Sequence, residues 1–272
     1  MDSQPLAGRT VAVPEARELE VFAALLERRG ASVLRCPLVA IRDAPDPEPV
    51  LRFVRQFVSQ PFDDLILTTG EGLRRILTCI ERHEPQMHAP FLASLGRVRR
   101  VTRGPKPARA LRELGLKADL PAEPPTTAGI IATLSAEPLM GRRVALQLYG
   151  TDPNTALTDF LQRAGAQVTT VAPYVYADAA DDAAVRSLIG RLAAGDVDAI
   201  AFTSSPQVER LFAVGPAEAA RAALGHTLVA AVGPVVAEAL RRHGVEPQLM
   251  PEASFFLKPL TAALEQALRA GP

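Results

Sequence analysis

The sequence predicts an α/β protein made of two doubly wound parallel-sheet lobes. Three observations carry this. Short apolar runs alternate with amphipathic stretches along the chain. The runs are apolar at successive positions rather than at every second one, as in strands covered on both faces. Finally, the chain repeats itself. TRGPKPARALRELGL, starting at Thr102, and AVGPVVAEALRRHGV, starting at Ala231, share the pattern G-P-x-x-A-x-A-L-R-x-x-G at an offset of 129 residues.

The elements follow in order. Segment 8–33 opens with a strand at 10–13 (TVAV) and a polar turn. A helix over 17–29 follows, with Val21, Leu25 and Arg28 on one track and Gly30 as its stop. Segment 141–168 is its counterpart. It holds strand RVALQL (143–148), a helix over 155–164 with Leu157, Phe160 and Leu161 on one face, the stop Gly165, and a strand that continues to 171. LILTTGEGLRRIL (65–77) matches IAFTSSPQVERLF (200–212), each an apolar strand running through a hydroxyl-bearing turn into a helix. Strand TLVAAV (227–232) precedes the second G-P segment. DAPDPEP (43–49) and ADLPAEPPTTAG (118–129) read as proline-rich loops. The repeat alone places a domain cut near residue 140.

Composition excludes several classes. Lys plus Arg and Asp plus Glu are both 30, so the net charge is zero and nucleic acid is not an expected partner. Cys36 and Cys79 lie outside any CxxC pair and have no histidine at ligand spacing, so neither a disulfide framework nor a zinc site is expected. The polar start MDSQPLAGRT predicts no secretory signal, and no apolar run reaches the ~18 residues of a membrane span. A cytoplasmic monomer is the expectation. No GxGxxG follows the first strand, which runs into Pro14-Glu15-Ala16-Arg17, and GxxxxGK[ST] and GxSxG are absent. The four histidines are scattered. No nucleophile or general base declares itself.

Ligands of open parallel sheets bind at the carboxyl ends of the strands. Those ends carry Thr68-Thr69-Gly70, Tyr149-Gly150, Thr203-Ser204-Ser205 and Gly233-Pro234. Each is small or hydroxyl-bearing and is expected to precede a helix N-terminus, which suits anionic groups. Thr and Ser at such places are also ordinary N-caps. Tyr174 and Tyr176 lie just past strand 167–171, where a phenol either reaches a cleft or packs its ring with a wet hydroxyl.

On these residues the chain resembles the uroporphyrinogen-III synthase family. The resemblance rests on the paired G-P segments, the T-[ST] strand ends at 68–69 and 203–204, the run VALQLYG (144–150) and GDVDAIAFTSSPQVERLF (195–212). It implies two flavodoxin-like lobes joined by a two-stranded connection, with residues 1–38 and 175–272 in one lobe and 39–174 in the other. It also implies a linear tetrapyrrole substrate, hydroxymethylbilane, cyclised with inversion of ring D and loss of water, and no metal or organic cofactor. By the same resemblance Tyr174 assists departure of the hydroxyl, with Tyr176 as second candidate, and Arg17 pairs with a substrate carboxylate. Many relatives carry Thr before the Ala of each G-x-x-x-A segment, where this chain has Pro107 and Val236. A ligand-sensing module of the same fold is the alternative.

Overall fold

The computed structural model describes residues 4–252 and 254–269. The chain divides into two compact units, Met1–Ala40 with Ala177–Pro272, and Ile41–Tyr176. The first unit opens with β1 (Thr10–Val13), α1 (Leu19–Glu27) and β2 (Ser32–Arg35). The chain crosses to the second unit in β3 (Val39–Asp43). There it forms α2 (Glu48–Ser59), β4 (Asp64–Leu67), α3 (Gly70–His83), α4 (His88–Arg97), β5 (Arg99–Thr102), α5 (Pro105–Glu113) and β6 (Leu120–Pro121). α6 (Thr127–Ser135), β7 (Arg143–Gln147), α7 (Thr155–Arg163) and β8 (Gln167–Val171) complete it. β9 (Tyr174–Asp178) pairs with β3 and returns the chain. α8 (Asp182–Ala193), β10 (Ala199–Phe202), α9 (Ser205–Ala213), α10 (Ala217–Leu224), β11 (Leu228–Ala231), α11 (Pro234–Arg242) and α12 (Leu257–Arg269) finish the first unit.

Each unit is a doubly wound parallel sheet. The first has the order β11-β10-β1-β2 and the second β6-β5-β4-β7-β8. The first order is the flavodoxin arrangement, and the second is its circular permutation. The repeated segments correspond strand for strand: β1 with β7, β2 with β8, β10 with β4, β11 with β5. Each unit thus combines the β-α-β part of one copy with the remaining strands of the other. A cut near residue 140 would separate β4 from β7, which pair over Asp64–Leu67.

Strand alternation distributes side chains to the two faces. In the second unit Leu65, Leu67 and Ala145 join the core that includes Phe53, Phe57 and Phe91. Ile66, Val144 and Leu146 enter the opposite core with Val101, Leu157 and Leu161. The first unit's core takes Val11, Ala12 and Val13 together with Ile200, Phe202, Val229 and Leu240. No helix of the described residues is long and apolar enough to cross a membrane.

Three local expectations need correction. α1 is shorter than 17–29, and Val21 is 58% exposed; the buried stripe is Phe22, Leu25 and Leu26, spaced i, i+3, i+4. Segment 118–129 is not all loop, because β6 lies in it and Thr126 caps α6. Segment 43–49 likewise contains the end of β3 and the start of α2, where Pro49 sits in the first turn that tolerates proline.

At the amino ends of the strands the duplication preserves an acidic tie. Asp198 accepts from the Thr10 amide, and Asp63 from the Arg143 amide. Asp64 is 1% exposed and bridges Arg99 Nε at 2.5 Å and Arg142 Nε at 2.7 Å. Removing the buried carboxylate leaves Arg142 without its counter-charge and Arg99 with Glu137 alone. Asp64→Ala should therefore lower the unfolding free energy by about 3 kcal/mol, read from denaturant midpoints at constant slope.

Candidate functional site: the tyrosine cluster of the second unit

β4 and β7 end side by side, with Leu67 opposite Gln147. Gln147 is a polar residue at the end of a strand covered on both faces, and its side chain is fully buried. Its amide must therefore find partners inside the protein. The Oε1 atom accepts from the Thr68 amide at 3.1 Å and the Thr69 amide at 3.0 Å. The Nε2 atom donates to the Leu148 carbonyl. Thr68 Oγ1 donates to the Gln147 carbonyl at 2.9 Å. The bend from β4 into α3 is thus held by a side chain from the neighbouring strand. Gly72 makes this possible: a Cβ there would collide with the Gln147 amide group.

Thr69 caps α3, its Oγ1 accepting from the Gly72 amide at 3.0 Å. The same hydroxyl lies 3.3 Å from the Tyr174 phenol. Tyr174 is 0% exposed, at the first position of β9. Its ring meets Tyr176 edge-on at 5.5 Å, and Tyr176 meets Tyr149 at 5.4 Å. Gly150 closes the cluster. It has φ +60°, and a Cβ would stand 2.9 Å from the Tyr176 ring. Arg103, just past β5, donates from Nε to the Thr68 carbonyl at 3.0 Å. Its guanidinium lies 5.0 Å from the centre of the Tyr149 ring. The protein has three tyrosines and no tryptophan, so all of its tyrosines are in this cluster.

Burial raises the Tyr174 phenol above its ordinary value of 10, against the opposing pull of the Thr69 hydroxyl and the Arg103 charge. Tyr176 is raised further, by burial first and then by its two tyrosine neighbours. Both phenols stay protonated where an unfolded chain would already ionise.

The first unit builds its strand end the same way from different residues. Gln207 Oε1 accepts from the Thr203 amide at 2.8 Å and the Ser204 amide at 3.3 Å. Its Nε2 donates to Thr203 Oγ1 at 2.9 Å, and Thr203 Oγ1 donates to Glu15. Glu15 Oε1 accepts the Arg17 amide at 2.9 Å, and the Arg17 guanidinium stands 3.6 Å from Glu18. Ser205 is buried and its hydroxyl donates to the Val235 carbonyl at 3.3 Å. Gly233 caps α11 ahead of Pro234, with the Phe255 ring so close that a Cβ would meet it at 3.0 Å. In the second unit the Pro125 ring covers Gly104 in the same manner and leaves no room for a Cβ there.

The open amide donors expected at 68–69 and 203–204 are therefore occupied, each pair by a glutamine. Buried amides demand an acceptor, and a neighbouring side chain supplies one permanently. The second unit brings together Thr69, Tyr149, Gly150 and Tyr174 within one cluster. Thr68 and Gly70 lie behind it in the packed bend, where a Cβ on Gly70 would fall 2.8 Å from the Lys106 carbonyl. Arg17, Thr203, Ser204, Ser205, Gly233 and Pro234 belong to the first unit.

The profile of the family described as Uroporphyrinogen-III synthase HemD matches residues 20–256. The chain belongs to the uroporphyrinogen-III synthase family. It is 31% identical over 252 residues to the uncharacterized protein YjjA of Bacillus subtilis, covering 91% of this chain and 92% of that protein. It is 27% identical over 242 residues to a putative uroporphyrinogen-III synthase of Methanothermobacter thermautotrophicus, covering 88% and 90%. Among solved structures, a mutant uroporphyrinogen III synthase from the extremely thermophilic bacterium Thermus thermophilus shares 31% identity with a TM-score of 0.75, covering 97% of this chain and 100% of that one.

Within this family, the departures noted in the sequence acquire a location. Pro107 and Val236 are both buried in the first turns of α5 and α11. Nearby hydroxyls do not simply replace the missing ones. Thr126 is engaged with the Gly129 amide at 3.0 Å, and Thr102 Oγ1 is buried without a partner among the described residues.

Sequence reasoning missed Gln147, Gln207, Gly72, Glu15 and Arg103. Two signals were present. Gln147 interrupts an apolar strand, and S-x-x-Q at 204–207 is a capping box. Burial pushes the Cys36 thiol up to about 12 and also raises Cys79, which disfavours the thiolate at both. No group of three or more His, Cys, Asp or Glu among the described residues is placed to hold a metal ion. A concavity of the second unit, about 210 Å³, contains Arg75 and Arg82, but Asp43 bridges both, at 2.6 and 2.5 Å.

Two outcomes follow from the site. Gln147→Leu leaves two amides without an acceptor and should cost roughly 3 kcal/mol of stability, measured by denaturant unfolding. For the tyrosines, the folded protein retains protons that the unfolded chain releases above pH 10. Stability should therefore fall as pH rises past 10. A tyrosinate absorbance titration should show at least two phenols ionising above that value, and three ordinary titrations would contradict the geometry.

Proposed function

We propose that this protein is a uroporphyrinogen-III synthase. It converts hydroxymethylbilane to uroporphyrinogen III, with loss of water and inversion of ring D. The observation that carries the proposal is Tyr174: a buried phenol, kept protonated, resting against Thr69 at 3.3 Å at the carboxyl end of a parallel sheet. Family membership supports the reading.

The chemistry needs little acid–base machinery. The pyrrole nitrogen lone pair expels the hydroxymethyl oxygen, and the C–O bond breaks. The Tyr174 phenol gives its proton, or a strong hydrogen bond, to that oxygen, which leaves as water. The substituted α-carbon of the far pyrrole ring attacks the exposed methylene carbon to give a spiro centre. The older bond from that α-carbon to its bridging carbon then breaks, and the released bridging carbon bonds the ring's free α-carbon, which inverts the ring and closes the macrocycle. The proton lost as aromaticity returns restores the phenol. The unassisted reaction gives the uninverted isomer, so conformational control by bound carboxylates is the enzyme's larger task. The phenol is protonated at neutral pH, as donation requires, and because burial makes it a weaker acid than a solvated tyrosine, hydrogen-bond assistance suits it better than full proton transfer.

A second reading, a tetrapyrrole-sensing module, is favoured by one observation, the absence of hydroxyls at Pro107 and Val236. One assay separates the two. The protein is supplied with hydroxymethylbilane, the product is oxidised, and isomers I and III are resolved. Isomer III above the protein-free control is expected. Isomer I alone, from folded protein that still binds a tetrapyrrole, would leave the sensor. Tyr174→Phe should lower kcat roughly a hundredfold with little change in binding of the cyclic product.

A further inference from the structure

We propose that Arg103 is a specificity residue that clamps one carboxylate of the ligand. The proposal deepens the reading above and rests on it.

Arg103 is fixed from two directions. Its amide donates to the Leu67 carbonyl at 2.9 Å, extending the β4–β5 ladder by one step. Its Nε donates to the Thr68 carbonyl at 3.0 Å. Its guanidinium rests beside the Tyr149 ring. Two of these contacts come from the carboxyl end of β4 and the third from that of β7, while Arg103 itself follows β5; the three strands are adjacent in the sheet. The side chain is thus ordered before any ligand arrives, and an ordered arginine gives up less freedom on binding.

What Arg103 lacks is a counter-charge. Other arginines of the second unit are paired: Arg74 with Glu113, Arg75 with Asp43 and Glu71, Arg99 with Asp64 and Glu137, Arg100 with Asp119. Among the described residues no carboxylate lies within ion-pair distance of Arg103, and its Nη1 and Nη2 atoms have no hydrogen-bond partner. A half-buried guanidinium with Nε engaged and two terminal nitrogens unused retains donors that fit a carboxylate. It stands in the cluster that holds Tyr174, and the proposed substrate carries eight carboxylates. The geometry assigns it an acetate or propionate arm, held so that the hydroxymethyl end of the chain reaches the phenol.

The test uses the protein and uroporphyrin as probe, an octacarboxylate macrocycle that cannot undergo the cyclisation. Arg103→Gln should weaken its binding tenfold or more, and the affinity should depend less steeply on sodium chloride. Arg103→Lys, which keeps the charge and loses the fork, should fall between the two. In turnover, both variants should raise KM more than they lower kcat. A purely structural role would lower the melting temperature and leave the salt dependence unchanged. Wild-type affinity and salt dependence in folded Arg103→Gln would overturn the assignment and leave the proposed function standing. The Arg103→Lys comparison decides if the glutamine variant does not fold. Failure of the wild-type protein both to bind uroporphyrin and to form isomer III would overturn both.

Discussion

Two consecutive backbone amides at the end of a buried parallel strand must be satisfied without water, and one side-chain oxygen does it. In the second unit that oxygen is Gln147 Oε1, which accepts from both Thr68 and Thr69. The bend it stabilises is the seat of the candidate site. It fixes Thr69 as the cap of α3, and the Thr69 hydroxyl then meets the Tyr174 phenol. It also fixes the Thr68 carbonyl, which orients Arg103. The cost is paid in side-chain volume at Gly72, where any Cβ would displace the glutamine. The first unit meets the same demand with Gln207, recruited from the following helix instead of the neighbouring strand. The constraint recurs in both copies of the repeat, while the residue that answers it does not.

The duplication also explains the chain path. Copies of a β-α-β unit and of its partner strands lie in alternation along the sequence, and each compact unit takes one part from each copy. β4 pairs with β7 and β1 with β10, across long separations in both cases. A chain built this way must cross between units twice, and β3 and β9 are the two crossings. Tyr174 opens the second crossing, so the residue proposed to act on the substrate sits on a strand that is itself held by pairing with β3.

Much of the fold was legible because its signals are local. β1 and β10 coincide with the runs TVAV and AIAF, since a strand covered on both faces can carry almost nothing but apolar residues. Helix faces were harder. Val21 falls on a plausible track yet is solvent-exposed, because a period of 3.6 permits two neighbouring stripes and only packing selects the one through Phe22 and Leu26. The site was legible in its residue types and less so in its bonds. Tyr149, Gly150, Thr69 and Tyr174 were visible as strand-end residues, but the acceptor that binds the threonine amides comes from a strand 79 residues away. Nothing in the local sequence of Thr68 announces Gln147. Pairing register does, and register is a property of the folded sheet.

In the proposed function the tyrosine cluster of the second unit contacts the tetrapyrrole. The composition offers a direct reporter, since all three tyrosines of the protein lie in that cluster. Protein labelled with carbon-13 in its tyrosine rings should give ring signals from this site alone. Titration with uroporphyrinogen III should shift the Tyr149, Tyr174 and Tyr176 signals together and saturate at one ligand per chain. Saturable binding, shown independently by calorimetry, that leaves all of these signals in place would contradict the claim.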